Sequence, residues 1–147
     1  MALRSIELFA GAGGLAIGLH AVGVRTVCFV EREAYAAAVL AARMAEGRLA
    51  PAPVWSDVCT FDGRRWRGLV DLVAGGFPCQ DISHAGKGAG IVNGERSGLW
   101  REFARIVREV GPSLVFVENV AALLGRGLDV VLGDLASLGF DAEWGVF

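Results

Sequence analysis

Cys79 is the residue of this sequence that is best suited to covalent chemistry. It follows Pro78 in a Gly-Gly-Phe-Pro-Cys-Gln segment, and we expect that turn to hold the thiol outward on a rigid kink. A thiolate that attacks carbon needs an acid to activate the electrophile, and Glu118 follows another apolar segment, with Asn119 next to it. These residues predict nucleophilic catalysis. The alternative for Glu118 and Asn119 is a polar cap at the start of a helix.

A second group of residues is typical of nucleoside binding. Gly11 and Gly13 lie between a strand-like segment and a helix-like one, where backbone can approach a ligand closely and a helix directs its positive end at negative charge. Glu31 comes 20 residues after Gly11, about where an acid binds ribose hydroxyls, and Asp57 also ends an apolar segment. We therefore expect a nucleoside-type cofactor. The alternatives are a structural glycine turn with a solvated Glu31, and an Asp57 that only caps a helix.

Apolar runs and helical spacings alternate along the chain, which predicts an α/β fold with a doubly wound, mainly parallel, Rossmann-like sheet. Ligands of such sheets bind at the carboxyl ends of the strands, and each candidate residue follows a predicted strand. Strands are predicted at 6–9, 24–30, 54–55, 69–73, 114–117 and from 140 onward; helices are predicted at 15–22, 33–46, 99–110 and 128–138; and residues 86–98 form a predicted glycine-rich loop.

The composition of the chain limits the classes of function that it can have. A length of 147 residues with 54% hydrophobic residues predicts one domain with a real core. The net charge of −2 offers no global basic surface for nucleic acid, so any such contact must be local or supplied from elsewhere. Three cysteines without a C-x-x-C pair favour a reducing compartment, and we expect Cys28 and Cys59 to be buried. No apolar run suits a membrane span and no signal pattern opens the chain, which predicts a soluble, cytoplasmic protein that binds no metal and no membrane.

Three segments occur in an order that is typical of one known family. They are Phe9-Ala10-Gly11-Ala12-Gly13-Gly14-Leu15, Gly76-Phe77-Pro78-Cys79-Gln80-Asp81-Ile82-Ser83 and Glu118-Asn119-Val120. In these segments the chain resembles the cytosine-specific DNA methyltransferases that methylate ring carbon 5 with S-adenosylmethionine. The resemblance covers essentially the whole chain, and it implies the fold of S-adenosylmethionine-dependent methyltransferases.

The resemblance also implies roles for individual residues. Cys79 would be the nucleophile that adds to carbon 6 of a flipped cytosine in double-stranded DNA, and Glu118 would hold ring nitrogen 3, with Pro78 and Asn119 in the same catalytic motifs. The residues implied for S-adenosylmethionine are Phe9, Ala10, Gly11, Gly13, Gly14 and Leu15 in the first motif, Glu31 at the ribose, and Asp57 with Val58 at the adenine. Those implied for DNA are Gln80, Ser83, Lys87 and Arg96. The alternative interpretation of Lys87 and Arg96 is that they are solvated charges of the loop.

The sequence also departs from the family. Arg32 stands where members often have an apolar or aromatic residue that packs on adenine. After a segment like Leu138-Gly139-Phe140 the family continues into an Arg-rich motif, a target-recognition domain and a last motif that returns to the cofactor. We therefore expect residues 1–147 to be a partial catalytic domain, truncated before the last strands: a fragment, a truncated product, or one subunit of a split enzyme whose second polypeptide supplies those motifs.

Other functions explain fewer of these residues. A catalytically silent cofactor-binding or partner-binding module retains the fold without the parts that hold DNA. A nicotinamide-dependent oxidoreductase uses the glycine turn and Glu31 equally well but leaves Cys79 and Glu118 unexplained. A zinc base deaminase is excluded, because Ile82 stands where its Pro-Cys-x-x-Cys motif needs the second cysteine.

Overall fold

The structure, a computed structural model, describes residues 2–78 and 98–146 of the chain. Its strands are β1 (Leu3–Leu8), β2 (Val24–Val30), β3 (Val54–Trp55), β4 (Leu72–Gly75) and β5 (Leu114–Val117). Its α-helices are α1 (Gly14–Ala21), α2 (Ala34–Ala45), α3 (Gly98–Val110) and α4 (Leu128–Ser137), and short 3₁₀ helices span Val58–Thr60, Gly63–Trp66 and Ala121–Gly125.

The strands form one five-stranded sheet in the order β3-β2-β1-β4-β5, and every neighbouring pair is parallel. Parallel neighbours need a crossover connection, and here α1, α2 and α3 supply it. The carboxyl ends of all these strands therefore meet at one edge of the sheet. This confirms the predicted doubly wound α/β fold and puts the segments that follow β1 to β5 on the same side of the molecule.

The two faces of the sheet pack against different helices. On one face, Trp100 and Phe103 of α3 are buried in the cluster that contains Ile6 and Leu8 of β1. On the other face, Leu40 of α2 packs in a cluster with Phe29 of β2 and Ala16 of α1. The apolar residues of α3 recur at helical spacing, which explains why this helix is well predicted. Gly111, at φ +61, follows the last residue of α3 and ends the helix.

Several expectations differ from the structure. β1 begins at Leu3, three residues before its predicted start. β4 begins three residues later than predicted, because Gly68 turns the chain at φ +73 and leaves Leu69 half-exposed. Cys59 is exposed, because the 3₁₀ helix that carries it buries Val58 instead, whereas Cys28 is buried as expected.

A further difference concerns the strand predicted from residue 140. Residues 140–146 form no strand, since a strand needs a partner for its backbone groups and β5 pairs only with β4 among the described strands. These residues instead lie beside β5 and α4, where they line an open groove of about 540 Å³. The predicted strand is therefore wrong for the described part of this segment.

Candidate functional site

The turn after β1 leaves open space above its backbone. Gly11 and Gly13 have φ values of +53 and +78, which favour glycine, and Phe9 adopts φ 55, an uncommon conformation for a residue with a side chain. A Cβ on Gly11 or Gly14 would meet no atom within 4 Å, so the approach to these two residues is open. A Cβ on Gly13 would lie 2.7 Å from Leu40 Cδ2, so this glycine serves packing against α2. The turn is thus open to solvent at Gly11 and tightly packed against α2 at Gly13.

Glu31, at the end of β2, holds this turn. Its Oε2 accepts a hydrogen bond of 2.7 Å from the Gly11 N–H, and its Oε1 accepts one of 2.7 Å from the Glu33 N–H. The N–H of Ala10 also donates to the carbonyl of Val30, at 3.2 Å. Each carboxylate oxygen has a further lone pair, so a Glu31 fixed in this way can still accept from the hydroxyls of a ribose. The two predicted residues Gly11 and Glu31 are therefore in direct contact.

Asp57 lies next to Glu31 because β3 pairs with β2. The N–H of Glu31 donates to the carbonyl of Trp55, at 2.9 Å, and Asp57 follows two residues later. Asp57 Oδ1 accepts from the Cys59 N–H at 2.9 Å, so Asp57 does cap a helix, as the simpler interpretation predicts. Val58, the first residue of that 3₁₀ helix, is buried. The structure thus brings the glycine turn, Glu31 and Asp57 together at adjacent strand ends.

The ends of β4 and β5 form the other half of this edge. The N–H of Glu118 donates to the carbonyl of Gly75 at 3.1 Å, and a Cβ on Gly76 would lie only 2.7 Å from Glu118 Oε2. Gly76 therefore has to be glycine for the Glu118 carboxylate to lie against the segment that leads to Pro78. Asn119 Nδ2 donates to the carbonyl of Phe77 at 3.2 Å, which ties the same two segments together.

Glu118 and Asn119 do not cap a helix by their side chains. The next helix begins at Ala121, its cap residue is Val120, and no side chain makes a capping hydrogen bond there. Asn119 Oδ1 instead accepts from the adjacent Val120 N–H, at 2.9 Å. The alternative interpretation of these two residues as a helix cap is therefore wrong. The Glu118 residue is exposed. Pro78 is half-buried and is the last described residue before Cys79.

Several predicted site residues lie outside the described residues. These are Cys79, Gln80, Ser83, Lys87 and Arg96, together with most of the predicted glycine-rich loop. The structure describes the segments on both sides, which end at Pro78 and resume at Gly98, the first residue of α3.

Glu7 is a candidate that the sequence interpretation leaves unassigned. It lies on β1 between Phe29 of β2 and Ala74 of β4, is fully buried, and its Oε2 has no hydrogen-bond partner. Burial raises the pKa of this carboxyl to about 8. A buried acid with a raised pKa, on the strand that leads into the glycine turn, is typical of functional sites. The signal available in the sequence is the acid itself, inside an otherwise apolar strand.

Residues 2–78 and 98–146 contain no helix that is long and apolar enough to cross a membrane. Within the same ranges no three His, Cys, Asp or Glu side chains gather in a group that could hold a metal ion.

Comparison with known proteins identifies relatives of the whole chain. A family model described as C-5 cytosine-specific DNA methylase matches residues 3–147. The chain is 39% identical to the type II methyltransferase M.Eco47II of Escherichia coli over 139 residues, which cover 92% of this chain and 32% of that protein. It is also 39% identical to the type II methyltransferase M.PspPI of a Psychrobacter species, with the same coverage.

A solved structure shares the fold. It is described as a DNA modification methyltransferase encoded within an E. coli prophage, and it matches 93% of this chain with a TM-score of 0.68 and 25% identity. That match covers 37% of the solved chain. The present chain thus spans about a third of the length of the relatives it matches.

Proposed function

Because this chain belongs to the C-5 cytosine-specific DNA methylase family, we propose that it is the cofactor-binding and catalytic part of a DNA cytosine-5 methyltransferase. In this proposal residues 1–147 are part of one catalytic domain. The observation that carries it is the shared sheet edge, on which the Gly11–Glu31 contact and Asp57 lie at one half and Gly76 and Glu118 at the other. Such an edge is where this class of fold binds its ligands.

The geometry fits S-adenosylmethionine. An added Cβ at Gly11 or Gly14 would fill open space rather than meet protein atoms, which is what a backbone cradle for a ligand requires. In the proposal Glu31 accepts from the ribose hydroxyls, and Asp57 with Val58 receives the adenine. The remaining cofactor contacts come from the first motif, at Phe9, Ala10, Gly11, Gly13, Gly14 and Leu15.

The proposed chemistry divides between Cys79 and Glu118. The Cys79 thiolate adds to carbon 6 of cytosine, which breaks the aromaticity of the ring and makes carbon 5 nucleophilic. The Glu118 carboxyl holds ring nitrogen 3 and stabilises the charge that develops on the ring. S-adenosylmethionine, when bound, supplies the methyl group that carbon 5 takes. Loss of the carbon 5 proton then expels the thiolate and restores the double bond.

The substrate in this proposal is double-stranded DNA with the target cytosine flipped out of the helix. Gln80, Ser83, Lys87 and Arg96 are the proposed DNA contacts, while Pro78 and Asn119 support the catalytic motifs. The net charge of −2 means that these contacts act locally. We propose a cytoplasmic location, where DNA and S-adenosylmethionine are both present in bacteria such as those of the relatives.

A second candidate is an incomplete enzyme that needs another polypeptide. β5 is an apolar strand at the edge of the described sheet, and its Leu114 and Phe116 are about half exposed. An apolar strand with one unpaired side favours addition of another strand. The relatives are about three times as long as this chain, so we propose that the portion they have in addition supplies what covers β5.

The test is methyl transfer by the purified chain. Methyl-labelled S-adenosylmethionine and unmethylated mixed-sequence DNA are incubated with the wild-type chain, Cys79→Ala and Cys59→Ala, and label in cytosine is counted. Cys59 is exposed and supplies a matched thiol control. We expect label with the wild type and Cys59→Ala, and none with Cys79→Ala. Label that persists in Cys79→Ala would contradict the proposed nucleophile.

Methyl transfer, and not cofactor binding, separates the two candidates. The complete enzyme and the incomplete one both bind S-adenosylmethionine, but only the incomplete one requires the additional portion of a relative such as M.Eco47II before label appears in cytosine. Glu31→Gln should weaken binding about tenfold, the effect of about one hydrogen bond, whereas Cys79→Ala should leave binding unchanged. Equal loss of binding in both variants would overturn this division of roles.

A further inference from the structure

Arg105, on α3, donates hydrogen bonds to the turn that follows Asp57. Its guanidinium donates to the carbonyl of Val58 at 2.9 Å and to the carbonyl of Phe61 at 3.0 Å. Val58 begins the 3₁₀ helix that Asp57 caps, and Phe61 follows its last residue. Both ends of this single turn are therefore attached to α3 by one side chain.

Two carboxylates hold the guanidinium in turn. Arg105 Nε donates to Glu102 Oε2 at 2.8 Å, and its Nη1 donates to Glu109 Oε2 at 2.9 Å. Glu109 Oε2 also accepts from the Gly63 N–H at 2.9 Å, which attaches the next part of the segment. Burial opposes the charge of Arg105, but hydrogen bonds with Glu109 and Glu102 outweigh it and raise the pKa of the guanidinium. Arg105 is thus charged and oriented from several directions.

We propose that Arg105 is a positioning residue for the adenine end of the cofactor. By fixing the carbonyls of Val58 and Phe61 it sets the turn in which Asp57 Oδ1 accepts from the Cys59 N–H, and so it sets the direction of the Asp57 carboxylate. This inference rests on the proposed function, in which Asp57 and Val58 receive the adenine. Arg105 itself lies behind that turn and acts through it.

A positioning role differs from simple packing in what it predicts for ligands. If Arg105 only stabilises the fold, its replacement lowers stability and weakens every ligand alike. If it directs the Asp57 carboxylate at the adenine, its replacement removes the preference for a ring with a 6-amino donor. A pair of ligands that differ only in that donor therefore separates the two roles.

The experiment measures calorimetric binding of S-adenosylhomocysteine and of its inosine analogue, in which oxygen replaces the adenine 6-amino group. The 147-residue chain is compared with Arg105→Gln and with Arg105→Lys, which keeps the charge but lacks the planar fork. Arg108→Gln is the matched control, because Arg108 is an exposed arginine on the same helix. Thermal unfolding followed by circular dichroism shows that each variant is folded.

We expect the wild-type chain and Arg108→Gln to prefer S-adenosylhomocysteine. Both Arg105 variants should bind it about tenfold more weakly, the effect of about one hydrogen bond, and bind the inosine analogue nearly as the wild type does. Equal weakening of both ligands, or no weakening, would overturn the positioning role. A wild-type chain that binds neither ligand would contradict the proposed cofactor site itself. A wild-type chain that binds both ligands equally would contradict the role of Asp57. Either result would also overturn the positioning role of Arg105.

Discussion

Glu7 lies on β1 and Glu31 directly follows the neighbouring strand β2, but their carboxyl groups have opposite environments. Glu31 accepts two backbone hydrogen bonds, from Gly11 and Glu33. Glu7 is fully buried with an unpartnered Oε2, and burial raises its pKa to about 8. Desolvation favours the protonated form of this carboxyl, because ionisation in an apolar surrounding is unfavourable. The stability of this chain should therefore depend on pH at this residue.

Glu7→Gln tests that dependence. The folded pKa of about 8 exceeds the ordinary value of 4.5, so Glu7 makes the wild type less stable as pH rises from 4.5 to 8. Gln has no such titration, so the variant should be about as stable as the wild type near pH 4.5 and about 3 kcal/mol more stable at pH 7. Urea unfolding across this pH range measures the difference. A gap that does not change with pH, or one that the exposed Glu143→Gln reproduces, would contradict the assignment.

At the scale of secondary structure, the start of α1 shows how packing and the candidate site share one turn. Gly13 precedes α1 at φ +78, and a Cβ there would lie 2.7 Å from Leu40 Cδ2 and 3.0 Å from Leu49 Cδ1. Gly11, two residues earlier, has no atom within 4 Å of such a Cβ. The same short turn thus packs against α2 through one glycine and leaves an open surface at the other.

Gly13→Ala should destabilise the chain by about 1–3 kcal/mol, because alanine is strained at positive φ and the two leucines must shift. Gly18→Ala is the matched control. Gly18 lies within α1 with nothing within 4 Å of an added Cβ, so alanine there should stabilise the chain by about 0.5–1 kcal/mol. Chemical denaturation of both variants measures the two effects. The same sign of change in both would show that the turn geometry does not matter.

For the molecule as a whole, the described sheet ends at β5, a strand with exposed apolar side chains. Leu114 and Phe116 of β5 are 49% and 47% exposed, and Trp144 and Val146 beside the same groove are 61% and 63% exposed. Exposed apolar edges of this kind promote association between chains. The chain by itself should therefore associate through β5.

Sedimentation velocity over a range of concentrations measures this association. We expect Phe116→Lys to reduce it, because a charge on an edge strand opposes strand addition. Val22→Lys is the control, since Val22 is 76% exposed but lies after α1, away from β5. A chain that is monomeric at every concentration, or an equal effect of both substitutions, would contradict a special role for this edge.

The order of the elements, and the strand that each candidate residue follows, can be predicted from the amino-acid sequence alone. Alternation of apolar runs with helical spacing is a local property, so α3 and the parallel sheet could be predicted from it. The positions of Gly11, Glu31, Asp57 and Glu118 at strand ends follow from the same pattern. Because parallel strands end at one edge, their proximity was also predictable.

Which groups are in contact, and which strand lies at the edge of the sheet, depend on how distant segments pack together. The hydrogen bonds from Gly11 to Glu31 and from Arg105 to Val58 join segments that are far apart in the chain. The burial of Glu7 is an environment that no local pattern encodes. Residues 140–146 have strand-like composition but form no strand, since pairing depends on a neighbour and not on the segment alone. Propensity is local, whereas contact and burial depend on how the whole chain packs.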